Sequence, residues 1–470
     1  MNLNDSRILV IGAGLMGAGI AQVAAQAGHQ VLLHDSRAGA AEAAKAKLAQ
    51  TLEGLAAKGK LTPDAAQATL ARITPVAALA PAELVIEAIV ENLDIKRALF
   101  AELEALLPAD AVIATNTSSI SVTALARGMK APERLVGMHF FNPVPLMKLV
   151  EVVSGLGTAP EVAQAVFDLA GRWGKTAVHA RSTPGFIVNR IARPYYAEAL
   201  MLLQDRAATP ELIDACLRAA GFRMGPCELM DLIGHDTNLA VTKSVFEANF
   251  YDRRFTPSLV QQELVDAGFL GRKSGRGFYR YPEGAPALQA PVGAEPRGGR
   301  VVVHGRGALA ERFVANLPEA SRDLTSDWLG LAVDGRELRL TDGRRARDFG
   351  PGTAVFDLPL APSGDIAYAG DPDTAAWLRR LGLVPRQMVD MPGLVVARTI
   401  AMLINEAADA VSQGVCDEAG ADAAMKLGVN YPAGPFEWLA LWGSQEVAAL
   451  LDRLDQHHRG ERYRASRYLT

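Results

Sequence analysis

Residues 7–35 read RILVIGAGLMGAGIAQVAAQAGHQVLLHD. Arg7 to Ile11 is a short, nearly continuous apolar run, the pattern of a strand buried on both faces of a parallel sheet. Gly12-Ala13-Gly14-Leu15-Met16-Gly17 follows at once and opens an apolar helix predicted from Leu15 to Ala27. A second strand, Gln30 to His34, ends at Asp35, twenty-three residues after Gly12. Gly12 permits the tight turn, Gly14 lets a pyrophosphate approach the backbone, and Gly17 lets helix and strand pack closely. The helix N-terminus then presents free N–H groups to the phosphates. Gly12, Gly14, Leu15, Met16, Gly17 and Asp35 therefore form a predicted dinucleotide site. Asp35 is placed for the adenosine ribose hydroxyls and favours NAD. Arg37 could instead hold a 2′-phosphate, but Asp35 would repel that group.

Outward from this turn the same α/β pattern continues. Leu84 to Val90 reads as another buried strand, with Glu91 at its end and Lys96 on the next helix. Ala111 to Thr115 is a further strand and ends in Asn116-Thr117-Ser118-Ser119. Ligands in open α/β sheets bind outside the carboxyl ends of the strands, so position makes these residues site candidates. A Ser/Thr/Asn turn alone is more often a helix cap. Ala38 to Gly59 reads as a partly exposed helix whose lysines mark a solvated face.

Residues 139–153, HFFNPVPLMKLVEVV, place a histidine at the same edge and a glutamate inside the next strand. A carboxylate in an apolar strand needs a partner, because an unpaired buried charge is costly. His139 is the partner nearest in sequence. A carboxylate on one ring nitrogen fixes the tautomer and leaves the other nitrogen as a base.

Composition sets the class. The 470 residues are 49% hydrophobic and 21% charged, with net charge −4, so nothing suggests a nucleic-acid surface or an anionic membrane partner. Three cysteines, without metal-ligand spacing, read as reduced thiols of a cytoplasmic protein. No signal peptide, membrane span or metal site is expected.

The motifs GAGLMGAGIAQVAAQAGHQVLLHD, VIEAIVENLDIK, NTSSI, HFFNPVPLMKLVEVV, STPGFIVNRI and FLGRKSGRGFY occur in that order, between residue 5 and about 282. Together they resemble the L-3-hydroxyacyl-CoA dehydrogenase family, bacterial 3-hydroxybutyryl-CoA dehydrogenases included. The resemblance implies NAD-dependent oxidation of an acyl-CoA 3-hydroxyl. It implies His139 as general base, Glu151 as its partner, and Ser118 and Asn189 as contacts of the reacting oxygen. Glu91, Lys96, Ser118, Asn142 and Lys273 match cofactor-contacting positions. Thr51 and Lys58 fall where the family contacts CoA. Two other readings share parts of these motifs: a dehydrogenase of a free hydroxy or sugar acid, and a catalytically silent NAD-binding scaffold.

The predicted organisation is an α/β chain in five parts. Residues 1–183 form a Rossmann doubly wound sheet, 184–282 an all-α domain, and 283–299 a Pro/Gly/Ala-rich linker. Residues 300–391 are a degenerate, shortened Rossmann-like segment, and 392–470 a second all-α domain. In the fourth part, RVVVHGRGALA echoes the first fingerprint with its third glycine lost. No acid stands at a clear second-strand end, so a second NAD is not expected. PGLVVARTIAMLINEAADAV repeats PGFIVNRIARPYYAEALMLL at an offset of 208 residues, with Ala397 where the first copy has Asn189. The repeat is expected to pack on the first helical domain, either extending a homodimer contact or replacing it as an internal pseudo-dimer. The tail, His457 to Arg467, reads as a solvated end. The two-part length also resembles dehydrogenases acting on 3-hydroxyadipyl-CoA in phenylacetate catabolism.

Overall fold

The structure, a computed structural model, describes residues 3–289, 296 and 299–470. Part of the expected linker, residues 290–295, 297 and 298, lies outside the described residues. The chain divides into two compact units. One is the chain through Arg190 together with Gln413–Val429; the other is Ile191–Ser412 with Asn430–Thr470.

The first unit is built on eight strands: β1 (Ile8–Ile11), β2 (Val31–His34), β3 (Ile73–Val76), β4 (Leu84–Glu87), β5 (Val112–Thr115), β6 (Leu135–Phe140), β7 (Leu149–Ser154) and β8 (Thr176–Arg181). Their order is β3-β2-β1-β4-β5-β6-β7-β8, and every pair is parallel except β6–β7. β1, β4, β5 and β6 are buried at every residue, because helices cover both faces. β4 stops at Glu87 and not at Val90. The Glu87 carboxylate accepts the Ile89 N–H at 2.7 Å, which turns the chain out of the sheet.

The second unit contains β9 (Val301–His304), β10 (Ser321–Asp323), β11 (Gly330–Val333), β12 (Arg336–Leu340), β13 (Thr353–Phe356), β14 (Gly364–Gly370) and β15 (Leu383–Gln387), in the order β10-β9-β11-β12-β13-β14-β15. β9 and β10 are parallel, like β1 and β2. The last three strands repeat the antiparallel-then-parallel pairing of β6, β7 and β8. Between them the parallel strands β4 and β5 are replaced by an antiparallel hairpin, β11–β12. The segment is thus degenerate in its centre and intact at its ends. An acid does close the second strand: Asp323 is the last residue of β10, hidden from sequence inspection because that strand is only three residues long.

The helical repeats are exchanged between the sheets. Glu418–Gly428, from the second repeat, packs on β7 and β8 within the first unit. Its counterpart 208 residues earlier, Pro210–Ala219, packs on β14 within the second. In the second unit the helix Arg193–Gln204 lies against Val396–Ser412. The first copy has a break before this helix, after Val188–Ile191, where Pro194 removes an N–H; the second copy has Met402 and runs unbroken. Glu198 accepts Arg398 Nε at 3.0 Å, Arg462 at 3.0 Å and the Tyr463 hydroxyl at 2.9 Å. Arg254 reaches Glu406 at 3.2 Å and also pairs with Asp409. Arg254 and Arg462 stand 208 residues apart, as Glu198 and Glu406 do, so the pairing is reciprocal. The tail is therefore no solvated end. Tyr463 is wholly buried, and the Arg464 carbonyl accepts Asn405 and Arg254.

Candidate active site

The site begins at the turn after β1. A Cβ on Gly12 would lie 2.4 Å from the Ala88 carbonyl oxygen, and one on Gly17 would lie 1.8 Å from that of Gly12. Gly12 also has φ +100°, so only glycine fits there. A Cβ on Gly14 would meet nothing within 4 Å, and the helix Leu15–Gln26 has no side-chain cap. The turn is thus tight behind and open in front, with unsatisfied N–H groups facing the opening, which fits a dinucleotide pyrophosphate. Leu15 is exposed at this opening and Met16 packs toward the core. Asp35 accepts the Ala13 N–H at 2.8 Å and holds Arg37 through both of its oxygens, at 3.0 and 3.2 Å. The Arg37 guanidinium, opposed by burial and helped by these N–H groups, holds the Asp35 carboxyl down to about 2. Arg37 is therefore already occupied by a carboxylate, which leaves the site chemistry of NAD and not of its 2′-phosphate.

At the ends of β4 and β5 the structure assembles a buried acid–base network. Lys96 is 1% exposed, with its ammonium 2.7 Å from Glu87 and 3.1 Å from Glu91. Glu87 also accepts the Thr115 hydroxyl at 2.6 Å. Glu91 accepts the Thr117 hydroxyl at 2.7 Å, the Ser118 N–H at 2.9 Å and the Ser119 N–H at 3.0 Å. Burial raises the Glu91 carboxyl, but Lys96 and the hydroxyl donors outweigh it and bring it to about 2. Glu91 and Lys96 thus shape the Ser118 turn from below. Sequence inspection missed Glu87; its signal was an acid closing an otherwise apolar strand.

His139 and Glu151 are directly opposed across the antiparallel β6–β7 pair. His139 Nδ1 is 2.6 Å from Glu151 Oε2, and the carboxylate is fully buried. A proton on Nδ1 points at the carboxylate, and no described residue gives Nε2 a hydrogen bond. The ring is held by Phe141 at 4.5 Å and Phe186 at 5.8 Å between centroids. The other carboxylate oxygen, Oε1, accepts the N–H groups of Ile187 and Val188 at 3.1 and 2.9 Å. That ties down the turn carrying Asn189, whose amide donates to the Ser118 carbonyl at 3.4 Å. Ser118 itself is exposed. His139, Glu151, Ser118, Asn189 and Glu91 are thus linked in one hydrogen-bonded edge.

Asn142 is exposed in the loop after β6. Lys175, which sequence inspection passed over, anchors that loop by donating to the carbonyls of Val144 at 2.5 Å and Met147 at 2.8 Å. Burial, with Lys148 nearby, lowers its ammonium to about 8. The structure does not join Thr51 and Lys58 to this edge. Both are exposed, and the Thr51 hydroxyl donates to the Lys47 carbonyl of its own helix. Lys273 belongs to the other unit, where it pairs with Asp236 at 2.5 Å.

With this geometry in place, the comparisons with known proteins are specific. Residues 7–183 match the NAD binding domain of 3-hydroxyacyl-CoA dehydrogenase, and residues 185–281 and 393–470 match its C-terminal domain. The chain is 47% identical to the 3-hydroxyadipyl-CoA dehydrogenase of Escherichia coli K12, over 99% of this chain and 96% of that one. A solved structure of 3-hydroxybutyryl-CoA dehydrogenase from the same strain has 45% identity and a TM-score of 0.90, covering 99% of this chain and 98% of that one. The (S)-3-hydroxybutyryl-CoA dehydrogenase of Ralstonia eutropha has 39% identity and a TM-score of 0.56, covering 58% of this chain and 98% of that one. No described helix is long and apolar enough to cross a membrane. The chain belongs to the 3-hydroxyacyl-CoA dehydrogenase family, NAD-dependent oxidoreductases of 3-hydroxyacyl-CoA.

Proposed function

We propose that His139 is the general base that takes the 3-hydroxyl proton of an (S)-3-hydroxyacyl-CoA, giving the 3-oxoacyl-CoA. The observation that carries this is the 2.6 Å contact of Nδ1 with a fully buried Glu151, with no partner for Nε2 among the described residues. Glu151 fixes the tautomer and stabilises the imidazolium once Nε2 has accepted the proton. Ser118 and Asn189 hold the substrate oxygen as it becomes a carbonyl. The Gly12–Gly17 turn and Asp35 would hold NAD, which would supply the hydride acceptor for C3. Lys96 and Glu87 act through Glu91, setting the Ser118 turn. Asn142 and Lys273 are cofactor contacts on the family pattern, and Thr51 and Lys58 are CoA contacts on the same ground.

The acyl group is a dicarboxylic one of the hydroxyadipyl kind. What supports it is the 47% identity, over 99% of the chain, to a protein named for that substrate; a solved structure of like length, 45% identical, is named for hydroxybutyryl-CoA, and the substrate series decides between them. The chain acts in the cytoplasm as an internal pseudo-dimer, since the reciprocal Glu198–Arg462 and Glu406–Arg254 contacts fill the face a shorter chain would offer a second copy. A kcat/KM series on 3-hydroxyacyl-CoA esters, followed by NADH absorbance, tests the substrate. Hydroxyadipyl-CoA should lead the series; a maximum at hydroxybutyryl-CoA would refute the dicarboxylic assignment. No turnover on any ester would refute the base assignment with it. Sedimentation equilibrium should give one chain per particle.

A further inference from the structure

The second sheet has an edge of its own that the reaction does not use. Beyond the carboxyl ends of β9 and β12 lies a cavity of about 980 Å³, lined entirely by residues of the second unit. That size is in the range of small-molecule and cofactor sites. Its floor is the turn Gly305-Arg306-Gly307, the counterpart of Gly12-Ala13-Gly14. Both glycines have φ +94°, and a Cβ on Gly305 would come within 2.8 Å of the Trp328 carbonyl oxygen, as one on Gly12 would meet that of Ala88. A Cβ on Gly307, like one on Gly14, would meet nothing within 4 Å, and the nine-residue helix Ala308–Asn316 begins there without a side-chain cap.

Charge fixes the sign of the ligand. Five arginines and three carboxylates line the cavity. Arg344 and Arg453 share Asp342, and Arg339 pairs with Glu337 while lying 4.1 Å over the Trp328 ring. Among the described residues no carboxylate pairs with Arg306 or Arg312, which donate to the carbonyls of Leu324 at 2.7 Å and Pro359 at 2.9 Å. Both flank the open turn. The opposite wall is apolar, with Trp438, Leu441 and Trp442.

The details separate this cavity from a second NAD site. Ala310 stands where the first turn has Gly17, so the close-packed pyrophosphate cradle is lost and guanidinium side chains take over. The acid closing β10, Asp323, is engaged on both oxygens by Thr325 and Ser326, at 2.6 and 2.7 Å, so a ribose diol would have to displace them. Two carboxylate-free arginines suit a terminal phosphate monoester, which carries about −1.5 to −2 charges at neutral pH. We propose that this cavity binds the adenosine 3′,5′-bisphosphate end of a coenzyme A compound, with its phosphates on Arg306 and Arg312 and its base on the tryptophan wall. It would be a CoA site separate from the NAD-binding edge and independent of His139.

Hydrogen exchange on the full chain tests this, with coenzyme A, dephospho-coenzyme A and NAD as separate probes. Coenzyme A should slow exchange in residues 306–312 and 438–446, dephospho-coenzyme A at least tenfold less effectively, and NAD not at all. The double variant Arg306→Ala/Arg312→Ala should lose the protection while NADH formation keeps its wild-type kcat/KM, which also certifies its fold. Absence of protection by coenzyme A overturns the proposal, as does equal protection by NAD or by dephospho-coenzyme A. A double variant that stays protected, or whose turnover collapses, overturns it too.

Discussion

Glu151 and Asp357 do one mechanical job in the two halves of the chain. Glu151 receives the N–H groups of Ile187 and Val188, and Asp357 receives those of Val395, Val396 and Ala397, the corresponding turn of the repeat. Both carboxylates are fully buried. Among the described residues only Glu151 also has a histidine. Asp357, pushed up to about 6 by burial against the pull of its N–H donors, shows the anchor without the chemistry.

The two roles of Glu151 can be separated. His139→Gln should reduce kcat by about 10²–10⁴ while leaving NADH affinity and melting temperature near wild type. Glu151→Ala should lose turnover and also stability, about 1–3 kcal/mol for each N–H left unsatisfied. Paired measurement of kcat and denaturant midpoint checks this; equal stability of the two variants would contradict the anchor role.

A residue far along the chain should also affect turnover. A Cβ on Gly428, in the exchanged helix of the first unit, would stand 2.7 Å from Leu149 and 3.0 Å from Val188. Gly428→Val should therefore press on the turn that Glu151 holds, costing about 1–3 kcal/mol of stability and lowering kcat more than KM. Steady-state kinetics with a melting curve would show it. A variant with unchanged kcat would disprove the coupling.

These residues also show how much the sequence discloses. The glycine turn, Asp35 and the His139–Glu151 pair were legible, since each is a local pattern whose chemistry needs those residue types. The exchange of Glu418–Gly428 onto β7 and β8 was not, because a repeat discloses its own shape and not the sheet it packs on. Glu87 was hidden because an acid at a strand end and an acid four residues on look alike until the strand's true end is known. Asp323 was hidden by a strand too short for periodicity. Thr51 and Lys58 rested on a helix with no motif to fix its register.

The Asp35–Arg37 ion pair gives a test of cofactor choice. Asp35→Ser would release Arg37, now held through both carboxylate oxygens, to meet a 2′-phosphate. The ratio of kcat/KM for NADP to that for NAD should rise at least about tenfold, or about 1.4 kcal/mol. An unchanged ratio would mean that Arg37 does not reach the ribose.

The acid side of the stability profile should carry the mark of Glu91. Its folded carboxyl titrates near 2, below the ordinary 4.5. A depressed value stabilises the fold in full above the ordinary value and loses that effect as pH falls toward 2. Glu91→Gln should therefore melt below wild type at neutral pH, with the gap closing on acidification. Parallel melting curves from neutral pH down to about 3 would rule this out.

The reciprocal pairing of the helical repeats has a genetic side. In a homodimer every substitution at the interface is made twice, once on each face. Here each face is encoded separately, so one can drift while the other stays fixed. The drift is visible at the contacts themselves: Tyr463, which donates to Glu198, stands where the first copy has Phe255, and Asp409, which pairs with Arg254, stands where it has Met201. A substitution on one face is thus made once per chain, and the two copies of the repeat can differ at a contact without either losing it.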